Sequence, residues 1–415
     1  MFANTAEGGG TPPQSMVAAV RTFLTFLLIL TLIAGAIALY LYVTTPHETA
    51  GATFPLSGAA RAMIASAPAS AAAFAYVPRA AALEAKLNAN PITRDVITSW
   101  SAERALPQSW MLGGAALLVW QSGKETRYLQ RLDPVRAALV RIYLMAAGDV
   151  GGTILINAPS EQSIAPDEVA QIEALAAKLP TADAVVVQRI ASRGAFPPIG
   201  RPVVSSVAIS KDDIVITSHA VGGVTGGAAP LETHLARGAM LSASFASAPR
   251  LFDDLNRLFG QKISDLVSGG GSISIYDVDT GTLLPRPRTV ISIPADASRR
   301  PATEMLAKYG ARTAEKNGEL VLSFDDSIDA YLKDAIDSSS VPGGRWAARI
   351  DVQRLAPILD KLKDNVGLRI ASPRLFRAAR DLDRWIENLR QAKTITATDS
   401  FDGTIEELKV GVTAK

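Results

Sequence analysis

The stretch from Phe23 to Val43, FLTFLLILTLIAGAIALYLYV, contains no charged side chain. As a helix rising about 1.5 Å per residue it is about 32 Å long, enough to cross a hydrocarbon core of about 30 Å. Such a run either spans a bilayer or is removed as a leader. A secretory leader has a shorter apolar region, about 7–15 residues, followed by a small-x-small cleavage site. Ala34-Gly35-Ala36 and Ala36-Ile37-Ala38 have that pattern but lie inside the run. Tyr40 and Tyr42 stand at its far end, where amphipathic rings prefer the headgroup level. No polar face interrupts it, which argues against a helix buried in a globular core. The expectation is an uncleaved single-pass anchor over residues 16–45, with a cleaved leader as the alternative. Arg21 precedes the run and the next Lys or Arg is Arg61. The positive-inside bias then puts the N-terminus in the cytoplasm and the rest outside, in the periplasm if the membrane is the bacterial inner one.

The chain has no cysteine, so an exported domain must be held by burial rather than by disulfides. With 42 basic and 40 acidic residues the net charge is +2, and no global nucleic-acid footprint exists.

Residues 1–15 read as a disordered tail, and 46–70 as a linker rich in Thr, Pro and Gly. An alternation of strand-like and helix-like stretches follows. "GAALLVWQ" and "TRYLQRL" flank a turn at 122–125, and "PVVSSVAIS" and "IVITSHA" flank another at 211–213. Asp133 and Pro134 open a helix. "PDEVAQIEALAAKL" opens another, with acids in its first turn. Residues 221–230, "VGGVTGGAAP", form the best internal boundary, a connector between a lobe over 71–220 and a lobe over 231–415. The chain ends in two strands around Asp402-Gly403, a type I′ hairpin signal. The fold class expected is α+β: an N-terminal transmembrane helix, then a two-lobed exported domain of mainly antiparallel sheets covered by helices on one face. Three stretches, Phe74–Leu87, Ala243–Leu255 and Ala348–Leu362, each read as strand, turn, helix, the mark of a possible duplication.

On Phe74–Leu87, Met240–Leu258 and "NGELVLSFDDSIDAYLKDAI" (317–336) the chain resembles bacterial envelope proteins of domain-of-unknown-function families. These have one N-terminal anchor and tandem strand–helix–strand–strand units. The resemblance implies that layout and no activity.

Catalytic signatures are few. Histidines are His47, His219 and His234. Glu232 and His234 offer two metal ligands where three or four are needed, so no metal or other cofactor is expected. No G-x-S-x-G elbow presents a nucleophile to a histidine. Asp279-Thr280-Gly281 is the aspartic-protease tripeptide, but that chemistry needs two carboxylates, and only a homodimer would supply the second. The competing reading is a hairpin turn, which favours the same residues. Asp277 and Asp279 have calcium-loop spacing without the terminal Glu. "SGGGS" (268–272) precedes a strand instead of following one, unlike a phosphate loop.

One surface has a pattern. On a helix over Ser372–Gln391, Leu375, Ala378, Ala379, Leu382, Trp385, Ile386 and Leu389 fall in one sector, expected to be buried on the sheet. Arg377, Arg380 and Arg384 fall together on the other side. Three arginines on one face suit phosphates or carboxylates. The alternative is a solvated face neutralised by Asp381, Asp383 and Glu387. The sequence therefore points to a membrane-anchored, non-enzymatic binding or scaffolding protein, whose partner is an envelope protein, an anionic lipid or a wall polymer. A hydrolase working through Asp279 is the alternative.

Overall fold

The computed structural model describes residues 57–94, 116–122, 125–147, 153–156, 162–189, 202–222, 230–246, 270–295 and 300–415. The apolar run at 23–43 and the N-terminal tail lie outside these residues. No helix among the described residues is long and apolar enough to cross a membrane.

The first half contains α1 (Gly58–Ile64), β1 (Ala73–Val77), α2 (Ala80–Ala89), β2 (Leu117–Ser122), β3 (Glu125–Gln130), α3 (Pro134–Ala147), β4 (Thr153–Ile156), α4 (Pro166–Ala176), β5 (Ala184–Gln188), β6 (Val203–Ile209) and β7 (Asp213–Val221). The second contains β8 (Leu231–Ala236), β9 (Leu241–Phe245), β10 (Gly271–Asp279), β11 (Arg286–Pro294), α5 (Arg300–Lys308), β12 (Arg312–Lys316), β13 (Glu319–Ser323), α6 (Ser327–Lys333), β14 (Ile336–Val341) and β15 (Gly344–Asp351). It continues through α7 (Val352–Leu362), α8 (Val366–Ala371) and α9 (Pro373–Asn388) to β16 (Ala392–Phe401) and β17 (Ile405–Ala414).

The α+β composition holds, but the two-lobed arrangement does not. All strands except the β8–β14 ribbon join one 15-stranded sheet, ordered β12-β13-β11-β10-β9-β15-β16-β17-β7-β6-β5-β1-β2-β3-β4. The halves meet where the last strand of the chain, β17, pairs antiparallel with β7 from Ile405↔Val221 to Thr413↔Asp213. A lobe ending at β7 would leave a long edge of unpaired amides and carbonyls, and β17 fills it. In sequence the glycine-rich stretch falls between β7 of the large sheet and β8 of the two-stranded ribbon, not between two lobes. Most of it, 223–229, lies outside the described residues.

The two halves share a topology. In each, a first meander (β1-β2-β3; β9-β10-β11) lies beside a second (β5-β6-β7; β15-β16-β17). The opening strands of the two meanders pair antiparallel, β1 with β5 and β9 with β15. The halves differ at their outer edges, where β4 runs parallel to β3 but β13 is inserted antiparallel between β11 and β12. The recurrent stretches seen in the sequence begin at β1, β9 and β15, three of these four opening strands.

Helices cover both faces, not one. On β17, Ile405 joins the core under α1 and α4, whereas Val410, Val412 and Ala414 join the core under α7 and α9. Odd and even residues of a strand point to opposite faces, so α4 and α9 lie on opposite sides of the sheet. The local chemistry explains these helices. Asp133 Oδ1 accepts from the amides of Val135 and Arg136 to cap α3. Pro166, Asp167 and Glu168 open α4, which buries Val169, Ile172, Leu175 and Ala176. Asp351 caps α7 by accepting from the Gln353 and Arg354 amides.

The last hairpin forms, but not as a type I′ turn. Gly403 has φ +96 while Asp402 stays at negative φ, and Asp402 Oδ1 accepts from the amides of Thr404 and Ile405. These bonds and Lys178 hold the Asp402 carboxyl well below the usual carboxylate range. The type I′ geometry belongs instead to Asn317-Gly318 between β12 and β13, where both residues have positive φ.

Candidate functional site: the arginine face of the last helix

Helix α9 starts at Pro373 and packs on α7 and the sheet through a narrower stripe than its sequence suggests. Ala379 and Ile386, seven residues apart, are buried and belong to the cluster with Val352, Leu359, Ile395 and Val412. Leu375, Leu382 and Trp385 are 61%, 38% and 45% exposed, so the expected burial of the whole apolar sector is corrected. The reason is the neighbour: α7 meets α9 along one seam, and only residues on that seam lose their water.

Arg377, Arg380 and Arg384 are all exposed. Arg377 Nε donates to the Pro373 carbonyl at 3.3 Å. Among the described residues none of the three has a carboxylate partner. The acids expected to neutralise them are mostly engaged elsewhere: Asp383 lies 3.6 Å from Lys363 Nζ, and Glu387 pairs with Arg390. On α8 and α9 the carboxylate left without a cationic partner is Asp381. A cavity of about 550 Å³ between α7 and α9 is lined by Gln353, Asp360, Lys363, Asp383 and Arg390 among others. Most of its charges are paired with one another: Asp360 holds Lys363 at 2.5 Å and raises its pKa, and Glu387 pairs with Arg390.

The other sequence candidates resolve differently. Asp279 ends β10 and its Oδ1 accepts from the Gly281 amide at 3.0 Å, closing the turn to β11. Glu232 and His234 do not converge on a shared site: Glu232 is exposed on the ribbon, and His234 Nε2 lies 3.4 Å from Glu319 Oε1. No group of three metal-ligating side chains forms among the described residues. His219 is buried, with Nδ1 3.0 Å from the Leu175 carbonyl and Nε2 2.9 Å from Glu407 Oε2. The Glu407 carboxyl is held below its ordinary range by its bond to His219.

Two polar clusters were not anticipated. Beneath the β8–β14 ribbon, serines at alternate positions of β9, β10 and β11 are buried: Ser242, Ser244, Ser272, Ser274 and Ser292. Ser244 Oγ accepts from the His234 amide and Ser242 Oγ from the Ala236 amide, so the hydroxyls replace a neighbouring strand for β8. Glu319 accepts from Ser292 and, at 3.4 Å, from Tyr331 Oη. The period-two serines in "MLSASF" and "GSISIY" were the available signal. The second cluster sets Arg345 between Asp399 and Glu406, whose relative exposures are 2% and 5%. Burial pushes the Asp399 carboxyl up, against the pull of Arg345.

No protein-family model, curated protein or solved structure matches the chain. The resemblance to envelope proteins therefore rests on the three stretches quoted for it.

Proposed function

We propose that this chain is a membrane-anchored envelope protein with a non-enzymatic binding role, whose contact surface is the arginine face of α9. The observation that carries the reading is that Arg377, Arg380 and Arg384 stand exposed with no carboxylate partner among the described residues. An exposed arginine adds little to folding stability, since surface ion pairs are worth about 0–1 kcal/mol. Near a polyanion each one contributes about 1 kcal/mol, and the contact weakens as salt screens it. Replacing all three by Ala is therefore expected to leave the fold intact and to weaken binding to an immobilised polyanion such as polyphosphate about a hundredfold at low salt. Surface plasmon resonance on the detergent-solubilised chain reads this directly. Equal binding by both proteins would return α9 to a merely solvated face.

The anchor has its own test. The run at 23–43 is expected to hold the full chain in the membrane fraction through carbonate washing, with release only by detergent. A mature N-terminus mapping between Gly35 and Ala60 would identify a cleaved leader and remove the anchor. The orientation in this reading puts the sheet in the periplasm or outside, on the far side of the inner membrane from Arg21.

A further inference from the structure

The β8–β14 ribbon stands on the large sheet by the edge of β8. The amides of His234 and Ala236 turn away from β14 and donate to Ser244 and Ser242. His234 is therefore a non-hydrogen-bonded partner of Ser338 across the ribbon, the kind of pair in which side chains stand closest. Ser338 Oγ lies 3.4 Å from His234 Nδ1. On the other side of the ring, Nε2 lies 3.4 Å from Glu319 Oε1. Burial rises along this line: Ser338 is exposed, His234 is half-buried and Glu319 is buried. The Glu319 carboxyl is held from behind, where Oε2 accepts from Ser292 Oγ and, at 3.4 Å, from Tyr331 Oη.

We propose that Ser338 is an acyl-acceptor site, with His234 as its general base and Glu319 as the residue that positions the ring. A hydroxyl is a weak nucleophile until a base takes its proton, and a nucleophile, a base and a third group that orients the base meet that need. Glu319 at Nε2 favours the tautomer protonated there, which leaves the Nδ1 lone pair towards Ser338. Separations of 3.4 Å are long for hydrogen bonds, and such contacts tighten when substrate binds. The ligand class is an activated ester. Ser338 Oγ attacks its carbonyl carbon while the hydroxyl proton passes to His234 Nδ1. The bond from the carbonyl carbon to the leaving oxygen then breaks, and His234 returns the proton to the departing alcohol. The products are an acyl-serine and one free alcohol, a covalent modification of the chain.

The free edge of β14 meets a second requirement, a donor for the oxygen that gains charge. In a non-hydrogen-bonded pair the Ser338 amide points away from β8, and among the described residues no strand lies beyond β14. The nucleophile's own amide is one of the two oxyanion donors in serine proteases. Ser340, two residues on, is an internal comparison. It is exposed on the same face of the same strand, but its cross-strand partner is Glu232 instead of a histidine. No G-x-S-x-G elbow is involved, because the nucleophile stands on an edge strand and its partners come from positions 234 and 319. The site lies outside α9 and goes beyond the binding role assigned to that helix.

The test treats the detergent-solubilised full chain with p-nitrophenyl acetate and locates the acetylated residues by mass spectrometry. Ser338 should carry the acetyl group and Ser340 should not. H234A should slow acetylation of Ser338 about a hundredfold. The His234 ring is partly open to solvent, so added imidazole should restore much of the rate. Glu319 acts through that ring. E319Q should therefore slow acetylation in the parent chain and change nothing in H234A supplied with imidazole, whereas a merely structural loss would appear in both. The chain contains no cysteine, so S338C and S340C give a second readout without background. At neutral pH S338C should react with iodoacetamide about tenfold faster than S340C, a difference that H234A removes. Equal acetylation of Ser338 and Ser340, equal alkylation of the two cysteine variants, or a loss in H234A that imidazole does not restore would overturn the proposal and leave a solvated cross-strand pair.

Discussion

Replacing Arg345 with Met will destabilise the protein by about 3 kcal/mol at neutral pH, a result set by what the arginine leaves behind. Asp399 and Glu406 are nearly inaccessible and both turn to this guanidinium. Removing one partner of a buried ion cluster leaves uncompensated charge in a poorly solvated place, which costs about 3–5 kcal/mol. Arg345 itself is partly exposed, which places the expectation at the low end. The pH dependence identifies the cause. Burial raises the Asp399 carboxyl above its ordinary range, so on acidification the folded protein takes up this proton before the unfolded chain does. Its contribution to stability is present at low pH and is lost as pH rises through the folded value. Without Arg345 that shift grows, so the deficit of the variant should shrink from pH 7 to pH 5, and R345M/D399N should recover part of it. A deficit that stays constant or widens on acidification, read from urea midpoints, would point to lost packing instead.

Val410→Pro will unfold both halves together. Val410 lies in the middle of β17, between Ala397 of β16 and Ile216 of β7. Proline cannot donate to a ladder, and in a central strand its ring has no room; the partner left unpaired in the sheet alone costs about 1–3 kcal/mol. Because β17 completes the second half and fills the open edge of the first, the loss reaches both. A single transition shifted downward by circular dichroism, with tryptophan fluorescence following the same curve, is the expected result. Trp120 reports on the first half and Trp346 on the second, so two separated transitions would show halves that fold apart.

Local chemistry was legible in the sequence and long-range pairing was not. Asp133-Pro134 and Pro166-Asp167-Glu168 name their helix starts because caps and first-turn acids act within a few residues. Asn317-Gly318 is an equally plain turn signal and takes the type I′ form, while Asp402-Gly403 does not, because Asp402 bonds its own downstream amides. The seam between β7 and β17 joins residues nearly 200 positions apart, and nothing in either strand's alternation identifies its partner; hence the mistaken pair of lobes. The arginines of α9 were found where helical spacing puts them. Its apolar sector was misjudged, because which of those side chains is buried depends on where α7 lies, not on α9 alone.

One sheet runs through both halves, and α9 packs on it through the core it shares with α7. Native-state hydrogen exchange of the β7 and β17 amides tests it most directly. The account predicts that amides from Ile214 to Ala220 and from Glu406 to Val412 exchange only through global unfolding, with the same free energy as those of β16 and β6. Seam amides that exchange at a lower free energy, while the interior of each half stays protected, would mean that the halves are separate units in contact, and the single sheet would be contradicted.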